Sequence, residues 1–103
     1  MENKYQFINV ERKGKISIIK FNRPEKKNAL SEAMRAEIIN VLNSLKEEKR
    51  TKAVIFYGGD DFFSAGFDKD EVQAVVQGKG DYKEFVESNH LFHQTIFEFP
   101  KLL

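Results

Sequence analysis

The chain has 103 residues, 41% hydrophobic and 32% charged, which is the balance of one small globular domain with a modest core. Its net charge of +1 gives no general attraction for nucleic acid, and the lack of cysteine excludes disulfides, thiolate metal sites and cysteine nucleophiles. No apolar run nears the roughly 18 residues that span a bilayer, and Met1-Glu2-Asn3-Lys4 lacks the apolar core of a signal peptide, so no membrane partner and a cytoplasmic location are expected.

Charge is uneven along the chain. Residues 1–27 hold eight Lys/Arg against three Glu, a local +5 that suits an anionic ligand or simply a solvated face. Tyr5 to Glu11 and Lys15 to Phe21 are rich in β-branched and aromatic residues and flank Arg12-Lys13-Gly14, which predicts a β-hairpin over 5–21. In its second strand Ile16, Ile18 and Lys20 point one way and Ser17, Ile19 and Phe21 the other. Apolar residues on both faces predict partial cover on each.

Asn22 to Asn28 reads as a loop, with Pro24 holding Arg23 out of helical geometry. Ser31 has the chemistry of an N-cap and Glu32 suits the first turn. Met34, Ile38, Val41, Leu42 and Leu45 then recur on one face, predicting an amphipathic helix over 31–49 that ends in a charged turn. Ala53 to Tyr57 predicts a strand over 53–57, stopped by Gly58-Gly59. Strand, helix and strand in this order predict a right-handed parallel crossover.

The next window, Phe62-Phe63-Ser64-Ala65-Gly66-Phe67-Asp68, lies between that strand and a short helix over 69–77. A strand, a glycine-marked turn and a helix start can build an anion site, because unpaired N–H groups and the helix dipole gather there. The ligand chemistry is a phosphate, a carboxylate or the oxyanion of a thioester. The alternative is an ordinary loop with a helix cap, and capping is the expected role of Asp68. Phe62, Phe63 and Phe67 are expected to pack in the core rather than stack on a base.

A polar stretch at Gln77 to Asp81 precedes a helix over 81–99, in which Tyr82, Phe85, Val86, Phe92, His93 and Ile96 trace an apolar stripe and Pro100 ends the run. Glu87, His90 and His93 share helical spacing, but helix packing is expected there and no metal site. Neither a nucleotide-binding glycine pattern nor a serine nucleophile elbow occurs. Three strands cannot cover both long helices, so apolar surface is expected to stay exposed, as at an interface or beside a missing part.

Three windows in this order resemble the enoyl-CoA hydratase/isomerase (crotonase) family. They are Phe21-Asn22-Arg23-Pro24-Glu25-Lys26-Lys27-Asn28-Ala29-Leu30-Ser31, then Phe63-Ser64-Ala65-Gly66-Phe67-Asp68, and finally His93 to Lys101. The resemblance implies an α/β fold, the N-terminal and incomplete portion of a spiral of ββα units. It implies an acyl-CoA thioester as substrate, no cofactor beyond the coenzyme A of that substrate, and a homo-oligomeric parent that is a lyase or isomerase of fatty acid metabolism. By resemblance the Phe67 backbone N–H is the first of two oxyanion donors. Lys26, Lys27, Asn28, Ala29 and Leu30, with Ser64, Ala65, Gly66, Phe67 and Asp68, form the walls of the CoA channel. Lys69 and Leu102 depart from the usual apolar residue and proline. The family's second donor and acid–base residues match nothing up to Leu103, which implies a segment inactive by itself. The alternative is a non-catalytic assembly piece that docks on a relative.

Overall fold

The computed structural model describes residues 5–103. Strands β1 (Ile8–Lys13) and β2 (Ile16–Phe21) form an antiparallel hairpin, and β3 (Ala53–Tyr57) lies parallel to β2, giving the order β1-β2-β3. Among the described residues three α-helices occur: α1 (Glu32–Glu47) between β2 and β3, then α2 (Lys69–Val76) and α3 (Tyr82–Phe97) after β3. Gly14, with φ 61°, makes the hairpin turn in a conformation that other residues resist.

β1 begins only at Ile8. The N–H groups of Gln6 and Phe7 both donate to the Glu37 carboxylate of α1, each at 2.8 Å, and the Tyr5 hydroxyl donates to Asn40 Oδ1 at 2.6 Å. These bonds fasten the strand's approach to the helix.

The core lies between one sheet face and α1. Ile8, Val10, Ile19, Phe21 and Val54 meet Met34, Ile38, Val41, Leu42 and Leu45, all buried. Burying a Leu or Ile side chain contributes about 1.5–3 kcal/mol, so this layer is the main source of stability. Ser17 also points inward, where its hydroxyl pairs with that of Thr51 at 2.9 Å. On the opposite sheet face Ile16, Ile55 and Tyr57 are exposed and Ile18 half-buried.

Both ends of α1 are closed by distant side chains. At the N-terminus Ser31 Oγ accepts the Met34 N–H, and the Glu71 carboxylate accepts the Glu32 N–H through both oxygens, at 2.8 and 3.0 Å. At the C-terminus the Lys101 ammonium donates to the carbonyls of Leu45 and Glu48. Glu71 and Lys101 each carry the sign that the helix dipole favours at that end.

Two expectations are corrected. In α3 only Phe92 is buried, while Tyr82, Val86 and His93 are exposed. Ile96 packs against the core beside Phe92, and Phe85 and His93 meet the Phe67 ring, while Tyr82 and Val86 stay at the surface. Phe62, Phe63 and Phe67 are exposed rather than core, because β3 has ended and Gly58-Gly59 has turned the chain off the sheet. The Phe63 ring still pairs, tilted, with that of Phe21 at 5.0 Å.

Candidate functional site

Two loops cross near the end of the sheet, and the first is locked by Asn28. Lys27 and Asn28 both have positive φ, 52° and 57°, which asparagine tolerates better than most side chains. The buried Asn28 carboxamide accepts the Arg23 N–H at 2.9 Å and donates to the carbonyls of Gly58 at 2.9 Å and Phe63 at 3.1 Å. Its own carbonyl accepts the Ser64 hydroxyl at 2.7 Å, and the Lys27 carbonyl accepts the Ala65 N–H at 2.9 Å. One side chain thus holds both loops in register.

Gly66 has φ 95°, a region that favours glycine. Its carbonyl accepts the Leu30 N–H at 2.7 Å, within a short parallel bridge between Leu30 and Phe67. In a planar trans peptide the carbonyl and the following N–H point in opposite directions. The Phe67 N–H is therefore turned away from Leu30, and it has no hydrogen-bond partner among the described residues. Phe67 lines a cleft of about 430 Å³, together with Lys26, Lys27, Ala29, Ala65 and Asp68.

Asp68 closes the turn. Its Oδ1 accepts the N–H groups of Asp70 at 2.9 Å and Glu71 at 3.4 Å, capping α2, and its Oδ2 lies 2.6 Å from Arg23 Nη1. Burial pushes its carboxyl up, but the Arg23 bond and charge together with the two N–H groups outweigh it and hold it below the usual range. A carboxylate so engaged is poorly suited to take a proton. The Asp70 carboxylate is 3.5 Å from Lys26 Nζ. Among the lining residues, Lys27 and Lys69 are then opposed only by Glu25 at the rim.

Of the residues expected at the site, Lys26, Lys27, Ala29, Ala65, Phe67 and Asp68 line the cleft, while Asn28, Leu30, Ser64 and Gly66 stand behind it and hold its wall. The Asn28 side chain is fully used by internal bonds, which leaves it a positioning role.

Sequence reasoning assigned no role to two arginines. Arg23 Nη1 bonds the Ala29 carbonyl at 2.9 Å as well as Asp68. Arg35, 1% exposed, sits beneath Phe67 with its guanidinium carbon 5.2 Å from the ring centroid. One signal was available for Arg35: it falls three residues before Ile38, on the buried stripe itself. His93 packs edge-on against Phe67 at 5.9 Å and Phe92 at 5.6 Å, with Nδ1 at 2.8 Å from the Asn89 carbonyl. Among the described residues no cluster of three or more metal-binding side chains occurs, and no helix is long and apolar enough to cross a membrane.

Strand, crossover helix, strand and a glycine turn with an unpaired N–H define the beginning of a ββα unit. The model of the enoyl-CoA hydratase/isomerase family matches residues 11–103, and the chain belongs to that family. It is 33% identical over 72 residues to the mitochondrial enoyl-CoA hydratase of Pongo abelii, covering 67% of this chain and 25% of the relative. It is 36% identical over 70 residues to 4-chlorobenzoyl coenzyme A dehalogenase-2 of an Arthrobacter species, covering 68% and 25%. The solved enoyl-CoA hydratase/isomerase of Xanthobacter autotrophicus Py2 matches with a TM-score of 0.82 at 26% identity, over 95% of this chain and 37% of that one. The fold is therefore crotonase-like over most of the chain. The matched segments span only 20% to 36% of the length of the curated relatives.

Proposed function

We propose that this chain forms the thioester-binding part of an acyl-CoA site, in which the Phe67 N–H donates to the thioester oxygen as an enolate develops. The observation that carries the reading is the Gly66–Phe67 peptide, whose carbonyl is tied to Leu30 and whose N–H is left unpaired beside the cleft. A donor fixed beforehand needs no reorganisation when charge appears, and one such donor is worth ~2.7–4 kcal/mol of barrier. Lys26 and Lys27 on the cleft wall suit the phosphates of coenzyme A. Asp68 caps α2 and anchors Arg23, and it takes no proton in this reading.

The test is an amide titration of ¹⁵N-labelled chain. Butanoyl-CoA is expected to shift the Phe67 resonance, and free coenzyme A to shift Lys26 and Lys27 while leaving Phe67 in place. A Phe67 signal indifferent to the thioester sinks the reading.

The reaction class in this reading is that of a lyase or isomerase, completed by groups that these 103 residues do not contain. With one donor and no acid–base pair, roughly 10²–10³ and a further factor of about 10²–10⁴ in rate are missing. The chain by itself is expected to hydrate but-2-enoyl-CoA no faster than buffer. Robust activity that disappears in Asp68→Asn overturns both this expectation and the capping role.

A second reading, an assembly piece, is favoured by the exposure of Phe97 at 90% and Val76 at 80%. It requires association with a copy of this chain or with a longer relative.

A further inference from the structure

Arg35 binds the site from below at several points. Its Nη1 donates to the Leu30 carbonyl at 2.6 Å, and its guanidinium carbon lies 5.2 Å from the Phe67 ring centroid. Leu30 and Phe67 are the two residues of the bridge that fixes the Gly66 carbonyl. Arg35 therefore grips the bridge by its main chain on one side and by its side chain on the other. Nη2 reaches Ser88 Oγ on α3 at 3.4 Å, and Nη1 lies 3.5 Å from Glu71 Oε1 on α2. The guanidinium is 99% buried, yet the carboxylate beside it is already engaged at the N-terminus of α1.

A plain structural arginine would be expected to form a close two-pronged ion pair. Here the short bond goes to a neutral carbonyl, and the guanidinium carbon lies over an aromatic ring. The broad guanidinium fork meets both demands at once, whereas a compact ammonium placed at one of them is drawn away from the other.

We infer that Arg35 is a positioning residue for the Phe67 N–H, holding the Leu30–Phe67 bridge and the Phe67 ring so that the Gly66–Phe67 peptide keeps one orientation. This rests on the reading of Phe67 as an oxyanion donor. Loss of the guanidinium frees the ring and weakens the bridge, so the peptide samples other orientations.

The experiment compares the wild-type chain with Arg35→Lys and Arg35→Met by amide hydrogen exchange and ¹⁵N spectra, each with and without butanoyl-CoA. In Arg35→Met the Leu30 N–H, which bonds the Gly66 carbonyl, is expected to exchange at least tenfold faster, and the Phe67 resonance to broaden. Core amides such as those of Ile19 and Val54 keep their wild-type rates. Arg35→Lys is expected to retain the Leu30 contact and lose the ring contact, giving intermediate exchange at Leu30 and a displaced Phe67 signal.

Unchanged Leu30 and Phe67 signals in a folded variant overturn the inference. So does uniform acceleration of all amides, which marks a general role in stability. Where Arg35→Met fails to fold, Arg35→Lys decides by the same two signals, and failure of both variants to fold also overturns it. The two readings fail separately. A wild-type Phe67 amide indifferent to butanoyl-CoA removes the donor, whereas a responsive wild type with unaltered Arg35 variants removes only the role of Arg35.

Discussion

At the residue scale the site is held by a few side chains whose partners lie far along the chain. Asp68 bonds Arg23, and Asn28 bonds Gly58 and Phe63. Asp68→Asn keeps the cap but loses the charge facing Arg23, and is expected to lower stability by about 1.5–3 kcal/mol, as measured by urea unfolding. Because the folded carboxyl lies below its ordinary range, the contribution of Asp68 is present above about pH 3.9 and disappears as pH falls through the folded value. Acid titration of wild type and Asp68→Asn should show that difference closing at low pH. At Asn28, glycine accepts the positive φ and alanine does not, so Asn28→Ala should be less stable than Asn28→Gly by about 1–2 kcal/mol. Equal losses would mean that the hydrogen bonds alone matter. The turn at Ser64 to Asp68 was legible because its signals are local: a preceding strand, a glycine and an acid at a helix start. The duties of Asn28 and Arg35 were not, since a residue type does not name a partner 30 to 50 positions away.

At the element scale α1 shows how far local reading extends. Its apolar face and its Ser31 cap follow from spacing and side-chain chemistry within a few residues. Closure by Glu71 and Lys101 depends on tertiary folding and leaves no trace near the helix. The two ends of a 16-residue helix stand about 24 Å apart. Ser31→Ala and Lys101→Met should each cost about 1 kcal/mol, and the double variant should cost their sum within about 0.5 kcal/mol in chemical denaturation. At the same N-terminus burial raises the Glu32 carboxyl, and Glu84 and Glu71 raise it further. Glu32 therefore favours the folded state below its ordinary pKa and loses that contribution as pH rises through the folded value. Glu84→Gln should flatten the stability–pH curve on that rising side. For α3 the periodicity was legible but its burial was not, because spacing defines a stripe without saying what covers it.

At the scale of the whole molecule, one sheet face and α1 share a closed core, while the other face and most of α3 expose apolar side chains. Concentration-dependent association is expected in sedimentation, weakened by Phe97→Ser. A monodisperse, cooperatively unfolding monomer at every concentration would exclude self-association as the form of the assembly reading. The double closure of α1 also has a consequence for the order of events during synthesis. The helix and its Ser31 cap are complete once Glu47 has been made, yet the cation that closes its far end arrives only with Lys101. At roughly 5–20 residues per second, Lys101 is added several seconds after Glu47. β3 likewise gains its outer-edge partner only with Leu102, whose carbonyl accepts the Val54 N–H. Two neighbouring residues, Lys101 and Leu102, thus fasten both the far end of α1 and the outer edge of β3, so one local change there would loosen two elements at once.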